Sequence, residues 1–453
     1  MSDFHLDIDN ALGRRAGLEV AIRGAIRAGA LVSGALLPGS RALANELGIS
    51  RSTVVEAYGQ LAAEGFLDMR QGSGTRVAAL ARPAAIATGS APEPPAFSMA
   101  FVPGEPDLTS FPRAAWSTTV RAVLRDTPTS TFAYGDPFGL HELRTTLVGH
   151  LGRARAVVAA PDRVVVFSGV GDALATVIPA LARIDVGHVA LEEPCLPWHR
   201  GAVSRTAAVH NVHVDEQGLR VDALASTPAR AVLVTPAHQY PLGVTMSPTR
   251  RAELVAWARD ADAWIIEDDY DGEFRYDRHP VGSLQGIASD RVIYAGTASK
   301  SIVPGIGIGW LVVPEPLVGH LRDVLNHRIT TSTIEQAVLS RFIDTGRLDR
   351  HLRRMRGVYR RRREQLLEVL ADVRALSLRG LAAGLHVTAQ VASLEAEQTV
   401  ADHAAASGLA LFRLSTHYGE AAKLHGIVFG FTRSPEHAWP SALRKLRAAL
   451  AHA

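Results

Sequence analysis

Six short runs of β-branched and other apolar residues follow one another in the second part of the chain, and this pattern restricts the fold more than any other feature. The runs are residues 163–167, 188–192, 230–234, 263–268, 291–296 and 308–314. Amphipathic stretches with helical periodicity, such as residues 249–261, separate several of them. The alternation predicts a mainly parallel sheet flanked by helices. In such folds ligands bind at the carboxyl ends of the strands, where the loops emerge.

A break in composition divides the chain ahead of these runs. Residues 78–96 consist mainly of alanine, proline, glycine and serine, and such a segment cannot join a core. With 453 residues, of which 47% are apolar, the chain is long enough for a small domain and a large one. We therefore expect domains at residues 1–77 and 97–453, joined by a linker at residues 78–96.

The sequence also indicates where in the cell the protein is expected to act and which ligands it is not expected to bind. It has no amino-terminal signal pattern and no apolar stretch of about 18 residues, so we expect a cytoplasmic protein without a membrane segment. A single cysteine, Cys195, leaves too few thiols for a cysteine-based zinc site, and no metal site is predicted. Lysine is rare, because Lys300, Lys423 and Lys445 are the only lysines in the chain.

Residues 36–77 contain two short helical patterns joined by a turn at Gly48, then a strand, a glycine-rich tip and a second strand. This order predicts a helix-turn-helix with a wing, in which Ser50 caps the second helix. We expect these apolar residues of the two helices to face one another: Ala42, Leu43 and Leu47 against Val54, Val55, Tyr58 and Leu61. The candidates for DNA contact are Arg41, Ser50, Arg51, Ser52, Thr53 and Gly72.

The same segment resembles the winged-helix domain of the GntR regulators. Four of its motifs match the family pattern in order, namely LPGSRALA, LGISRSTV, EGFL and GSGTRV. The resemblance implies a transcription regulator that binds double-stranded operator DNA.

Lys300 lies in the loop GTASKSIVPGIGIGW, residues 296–310, directly after a predicted strand. A lysine in this position is a candidate for forming an imine with pyridoxal 5′-phosphate (PLP). That cofactor also requires an acid near its pyridine nitrogen, an aromatic side chain on its ring and a cradle for its phosphate. The alternative is a lysine that is simply exposed.

Candidates for these further requirements lie at the ends of neighbouring runs. Side chains alternate along a strand, so Asp268 and Tyr270 share a face, where they would pair with the ring nitrogen and the 3′ oxygen. A solvated strand end is the alternative. A glycine turn at Gly169 and Val170 opens a helix whose N–H groups would hold a phosphate. The loop TPAHQYPLG, with Tyr240, is placed to reach the oxygen side of the ring.

Together the two halves resemble the MocR/GabR branch of the GntR regulators, in which a winged helix is fused to a fold type I aminotransferase domain. Six segments follow that family's order: YGDPFGLHELR, EEPCLPWHR, TPAHQYPLGVTMS, IEDDYDGEFRY, GTASKSIVPG and RHLRRMRGVYRRRRE. The resemblance implies a large α/β domain with a small C-terminal α+β subdomain, bound PLP and a head-to-tail homodimer. It assigns Lys300 as the imine lysine, and Thr297 and Ser299 as phosphate-side hydroxyls.

The loop after Lys300 departs from that family's pattern, which reads approximately S-K-x-L-x-P-x-L-R-x-G-Y. Gly307 stands where the family has an arginine. Without this arginine a phosphate dianion loses charge-assisted hydrogen bonds that neutral donors replace only in part.

Two other loops also depart from the family pattern in ways that would weaken cofactor recognition. The family's S-G-x-Q-Q-A is here SGVGDA, so that Gly171 removes a polar side chain and Asp172 adds a negative charge. Leu196 replaces an aromatic residue that would face the ring, and Trp198 lies two positions further on. We therefore predict a pocket of aminotransferase type with weakened phosphate recognition.

Three functions stay open at this point. The chain is a regulator that senses PLP or an amino-containing metabolite through a Lys300 imine, a regulator that has lost PLP and binds another ligand or only dimerises, or an active aminotransferase. An aminotransferase needs an arginine for the substrate carboxylate, yet residues 414–432 contain none. His425 lies near the expected position, and Arg413 and Arg433 flank the region. The intact winged helix favours regulation.

Overall fold

The computed structural model describes residues 13–70, 74–79, 100–276, 281–326, 328, 331–380 and 383–450. The chain forms two compact units, Met1–Pro94 and Pro95–Ala453. Most of the predicted linker, residues 80–96, lies outside the described residues, so its character stays a prediction.

The first unit contains three helices and a two-stranded antiparallel sheet. Its elements are α1 (Arg14–Arg27), α2 (Ser40–Leu47), α3 (Arg51–Ala63), β1 (Leu67–Arg70) and β2 (Gly74–Val77). Helices α2 and α3 meet at Gly48, which adopts a left-handed conformation with φ of 63° and ends α2. This is the predicted helix-turn-helix followed by a wing.

The predicted interface between α2 and α3 is wrong at two positions. Ala42 and Val55 are exposed, whereas Leu43, Val54 and Tyr58 are buried. On α3 the buried positions recur at helical spacing from Val54, and Val55 falls outside that stripe.

The second unit is built around an eight-stranded sheet with the order β3-β10-β9-β8-β7-β4-β5-β6. Its strands are β3 (Val164–Phe167), β4 (His188–Glu193), β5 (Ala208–Asp215), β6 (Gly218–Leu219), β7 (Ala231–Val234), β8 (Trp264–Asp268), β9 (Val292–Thr297) and β10 (Gly309–Val312). Strands β9, β8, β7, β4 and β5 are parallel, while β10 runs antiparallel to both β3 and β9. The link from β9 to β10 is too short for a crossover helix, so β10 must return in the opposite direction.

Helices cover both faces of this sheet. They are α4 (Arg113–Asp126), α5 (His141–Arg155), α6 (Val170–Ala182), α7 (Pro197–Val203), α8 (Val221–Leu224), α9 (Pro248–Asp260), α10 (Ala298–Ser301), α11 (Glu315–Leu325), α12 (Thr333–Asp344) and α13 (Arg347–Ala371). Successive residues of β3 enter different cores, since Val164 and Val166 pack with the cluster of α5, α12 and α13, and Val165 and Phe167 with that of α6 and α11. Burial on both faces explains why these strands are continuous apolar runs.

A smaller antiparallel sheet follows, with the order β11-β12-β14-β13. Its strands are β11 (Ser377–Arg379), β12 (His386–Val391), β13 (Phe412–Arg413) and β14 (His425–Gly430), and its helices are α14 (Leu394–Ala406) and α15 (Trp439–Leu450). The predicted small C-terminal α+β subdomain is therefore present. Within the described residues, no helix combines the length and the apolar character that crossing a bilayer requires.

Candidate ligand pocket and DNA-binding surface

A cavity of about 270 Å³ opens at the carboxyl edge of the large sheet. All eight residues predicted to bind the cofactor line it: Gly169, Val170, Tyr240, Asp268, Tyr270, Thr297, Ser299 and Lys300. They lie at or after the carboxyl ends of β3, β7, β8 and β9, which meet at this edge. The structure thus brings distant positions together, while their individual roles remain predictions.

Lys300 lies in the one-turn helix α10, directly after β9, and is partly buried. Loss of hydration lowers the pKa of its amine, and the nearby carboxylates of Asp268, Glu105 and Asp271 oppose that shift. A lowered pKa leaves more of the amine neutral near pH 7. The neutral amine is the form that attacks a carbonyl carbon.

Asp268 ends β8 with its carboxylate in the cavity. Its Oδ2 is 2.9 Å from Nε2 of the buried His199, whereas its buried Oδ1 has no hydrogen-bond partner among the described residues. The next carboxylate points the other way, because Asp269 pairs with Arg155 at 2.6 Å and accepts from Tyr294 at 2.8 Å. An unpaired oxygen is costly to bury, and a ring N–H in the cavity would satisfy it.

Tyr270 is held by the loop after β7. Its hydroxyl donates to the backbone oxygen of His238 at 3.1 Å and lies equally close to that residue's Nδ1. The same Nδ1 is 2.9 Å from Oδ2 of Asp271. Burial, followed by the charge of Asp271, raises the pKa of Tyr270 well above its ordinary value, so the hydroxyl keeps its proton across the neutral range.

Three buried side chains behind Tyr270 approach a metal-ligand arrangement. His238, Asp271 and His386 each bring one nitrogen or oxygen atom within 4.8 Å of the others. Two of these atoms already form the His238–Asp271 hydrogen bond. The expectation that the chain lacks a metal site remains a prediction.

The end of the cavity that is predicted to hold a phosphate lies at the start of α6. Gly169 precedes this helix with no side-chain cap, and the carboxylate of Asp172 turns back to accept from the amide N–H and the hydroxyl of Ser168, at 3.3 and 3.1 Å. Arg328 forms an ion pair with Asp172. No arginine lines the cavity in the part of the chain that the structure describes. The ring end therefore fits PLP, but the phosphate end lacks the charge that a dianion requires.

The two aromatic candidates for the ring face are also at the cavity. Leu196 and Trp198 both line it, and Trp198 packs against His199 with ring centroids 4.6 Å apart. The side chain of Trp198 remains 39% exposed.

The late arginines are engaged elsewhere. Arg413 donates to Gln398, and Arg433 pairs with Glu105 at 3.0 Å. Neither of them, nor His425, is among the described residues that line the cavity. Among the described residues, no arginine of the cavity lining is therefore in place for a substrate carboxylate.

The predicted DNA contacts cluster at the start of α3. Ser50 caps this helix by accepting from the backbone N–H of Thr53 at 3.1 Å, and its hydroxyl lies 2.8 Å from that of Ser52. Arg41 and Arg51 are exposed. Gly72, the remaining candidate, lies outside the described residues.

Sequence reasoning missed two histidines at the site, of which His199 lines the pocket and His238 contacts the pocket residue Tyr270. His199 orients Asp268, and His238 lies between Tyr270 and Asp271. Both histidines lie in segments that follow the family's order, His199 in EEPCLPWHR and His238 in TPAHQYPLG, and these positions were a usable signal.

The fold and the pocket define a fold type I aminotransferase domain joined to a winged helix. Two family models match these parts: aminotransferase class I and II at residues 107–413, and bacterial regulatory proteins of the gntR family at residues 15–77. The chain belongs to the MocR-type GntR regulators, which combine the two domains.

Similar regulators cover nearly the full length. The HTH-type pyridoxine biosynthesis transcriptional regulator PdxR of Corynebacterium glutamicum is 35% identical over 90% of this chain and 90% of its own. The probable rhizopine catabolism regulatory protein MocR of Rhizobium meliloti is 31% identical over 98% of this chain and 95% of its own. The chain is a DNA-binding transcription regulator with an aminotransferase-like domain.

Solved aminotransferases share the fold of the larger unit. The multiple substrate aminotransferase of Thermococcus profundus has a TM-score of 0.71 at 23% identity, covering 80% of this chain and 92% of its own. The kynurenine aminotransferase of Pyrococcus horikoshii has a TM-score of 0.69 at 23% identity, covering 77% and 89%. These similarities concern the fold alone.

Proposed function

We propose that the aminotransferase-like domain of this regulator senses PLP, a related ring aldehyde or an amino-containing metabolite through Lys300. One observation carries the proposal. Lys300, with its lowered pKa, shares a cavity with Asp268, whose buried Oδ1 is unpaired among the described residues. An amine and an unsatisfied carboxylate in one pocket suit a ligand that carries both an aldehyde and a protonated ring nitrogen.

Each residue has a distinct part in this proposal. Lys300 supplies the nucleophilic Nζ, and Asp268, oriented by His199, accepts from the ring nitrogen. Tyr270 offers its hydroxyl to the oxygen beside the aldehyde, in exchange for its present bond to His238. The ligand, when bound, would supply a carbonyl that reacts reversibly with amines, so that a second amine can compete with Lys300.

The pocket supports sensing better than turnover. An aminotransferase must hold the carboxylate of its amino acid substrate, and the late arginines are engaged with Gln398 and Glu105. The name of the relative PdxR refers to pyridoxine biosynthesis, which supports an effector of the same chemical kind. Transamination of a panel of amino acids by the purified protein would overturn the sensing proposal.

On the DNA side, we propose that Arg41, Ser50, Arg51, Ser52 and Thr53, with Gly72 at the wing tip, contact the operator. Exposed arginines and a helix amino terminus are the groups that bind phosphates and base edges. We also propose that the protein acts as a head-to-tail homodimer, as its family resemblance implies.

The central test is titration of the purified protein with ring aldehydes, followed by visible absorbance of the imine. Wild-type protein is expected to develop the band, and Lys300→Ala is expected to lose it. Lys445→Ala serves as the matched control, because Lys445 is exposed on α15. Absence of a Lys300-dependent band with every ring aldehyde tested would refute the proposal.

A further inference from the structure

The two ends of the pocket suit ligand groups of different charge. At the ring end, the amine of Lys300 and the carboxylate of Asp268 line the same cavity, and the carboxylate acts on the pKa of the amine. At the other end, Gly169, Val170 and Gly171 at the start of α6 line the cavity together with hydroxyl side chains of α10 and its amino end. A neutral group fits that end without further compensation, whereas a dianion does not.

A carboxylate of the chain itself lies at the start of α6. Asp172, in the first turn of α6, accepts from both the amide and the hydroxyl of Ser168. It therefore complements the positive end of the helix dipole, which is the feature that makes helix starts bind anions. A phosphate at the same helix start would add two negative charges beside that carboxylate.

A cation does lie at this corner, but it is already paired. Among the described residues, Asp172 forms its ion pair with Arg328, which lies outside the cavity lining. Lys300 is the single lysine among the described residues of the lining, and its amine is used by the aldehyde. Because Asp172 holds the guanidinium of Arg328 outside the lining, a phosphate dianion at this end would lack a cation of its own.

The position of the missing arginine is structurally specialised. Gly307 has φ of 60° and ψ of 45°, a left-handed conformation that ends the single 3-10 turn at Pro304–Ile306. Most residues with a side chain are strained in this conformation. The position where the family pattern has an arginine is thus occupied by a glycine in a backbone conformation that favours glycine.

We propose that the pocket selects an unphosphorylated ring aldehyde, with a protonated pyridine nitrogen at one end and an uncharged substituent at the other, and that Asp172 disfavours the phosphorylated form. The proposal rests on the sensing function of Lys300 and names its ligand class. Asp268 binds the ring nitrogen, Lys300 reacts with the aldehyde, and the start of α6 favours an uncharged substituent.

The covalent step is balanced without any further reactant. The lone pair of neutral Lys300 Nζ attacks the aldehyde carbon. The carbonyl oxygen leaves as water with the two hydrogens of the amine, and a C=N bond replaces the C=O bond. No oxidant or reductant is consumed, so ligand exchange is reversible.

The test compares 5-deoxypyridoxal with PLP, because the first carries a methyl group where the second carries its phosphate ester. Each aldehyde is titrated into the full-length protein while imine absorbance is recorded. The adduct is then reduced with borohydride and located by peptide mass. We expect 5-deoxypyridoxal to bind at least about tenfold more tightly than PLP, equivalent to about 1.4 kcal/mol, with the label on Lys300.

Two substitutions of Asp172 and one control variant test whether Asp172 causes the preference. Asp172→Asn keeps the size of the side chain and an oxygen that can accept from Ser168. It should reduce the preference for 5-deoxypyridoxal over PLP, mainly by strengthening PLP binding. Asp290→Asn removes an exposed charge that pairs with Arg259 at 3.1 Å and should leave the preference unchanged. Asp172→Gln, with circular dichroism of each variant, covers the case in which Asp172→Asn fails to fold.

The outcomes separate the two proposals. If PLP binds Lys300 as tightly as 5-deoxypyridoxal, the selection for a neutral ligand is refuted while the sensing function stands. If the preference persists in both Asp172 variants, the assignment to Asp172 is refuted. If neither aldehyde labels Lys300, the sensing function itself fails.

Discussion

At the scale of single residues, the amine of Lys300 is accessible from the cavity and loses its proton more easily than that of an ordinary lysine. Its amine lines an open cavity, and partial burial lowers its pKa against the attraction of Asp268 and two other carboxylates. Because the chain contains only three lysines, its reactivity can be followed individually in a digest of the whole protein.

We predict that Asp268→Asn moves the reactivity of Lys300 to lower pH. The carboxylate stabilises the ammonium form, so its removal lowers the pKa further and makes the neutral amine available earlier as pH rises. Labelling with a small acylating reagent over a pH series, read by peptide mass, measures the shift. Lys445 in the same digest provides the reference, and a shift of Lys300 to higher pH would contradict the account.

A second residue-scale prediction concerns the carboxylate beside Asp268. Asp269 and Arg155 form an ion pair whose side chains are each 2% exposed. Asp269→Ala leaves the guanidinium buried and unpaired, and should lower the free energy of unfolding of the larger unit by about 3–5 kcal/mol.

Tryptophan fluorescence during urea denaturation measures this loss selectively, because all six tryptophans lie beyond residue 97. Asp290→Ala is the matched control, since its partner Arg259 is exposed and such pairs contribute about 0–1 kcal/mol. Equal effects of the two substitutions would show that burial of the pair does not decide its contribution.

At the scale of elements, α3 joins two properties that a recognition helix needs. Its first turn is fixed by the Ser50 cap, and its inner face is anchored by Val54, Tyr58 and Leu61. The exposed Arg51 stands at the first helical position, where groups that reach DNA in winged helices are found.

We predict that Arg51→Ala weakens operator binding by about 1–3 kcal/mol if Arg51 reads a base, and lowers the salt dependence by about one unit of slope if it binds a phosphate. Fluorescence anisotropy with the operator, measured over a salt series, distinguishes the two. Arg259→Ala in α9 makes the same change of charge in the larger unit. Unchanged affinity in Arg51→Ala would remove α3 from the interface.

At the scale of the whole molecule, one loop exposes more apolar surface than an isolated chain would be expected to keep. The Tyr134 side chain is 95% exposed, and the nearby Phe132 is 46% exposed. Both line an open groove together with residues 331–334. Clustered exposed aromatic residues mark surfaces that another chain covers.

We predict that the protein has twice the chain mass of 48.4 kDa in light scattering. Tyr134→Arg should shift the population toward the monomer, because a charge cannot be buried there without a partner. Leu394→Arg changes another exposed apolar residue, at the start of α14, and should leave the mass unchanged. A monomeric wild-type protein would refute the homodimer.

The sequence anticipated much of the large sheet and of the pocket lining. Continuous apolar runs marked β3, β4, β7, β8, β9 and β10, because burial on both faces leaves little alternation to obscure them. Strand β5 escaped this reasoning, since its sequence AVHNVHVD carries histidines and only one of its residues is fully buried. Its place in the sheet comes from pairing with β4, a contact that no local pattern encodes.

The sequence by itself indicated the two-part architecture, the winged helix and eight of the pocket residues, because periodicity, capping residues and strand-end motifs are local and the family resemblance added Thr297 and Ser299. Only the tertiary structure decided how charge is distributed around Lys300. It left Oδ1 of Asp268 unpaired, placed His199 and His238 behind the reactive groups, and turned Asp172 onto Ser168. These contacts join residues that lie on different strands and loops, and their energies depend on burial and distance, which a chain acquires only by folding.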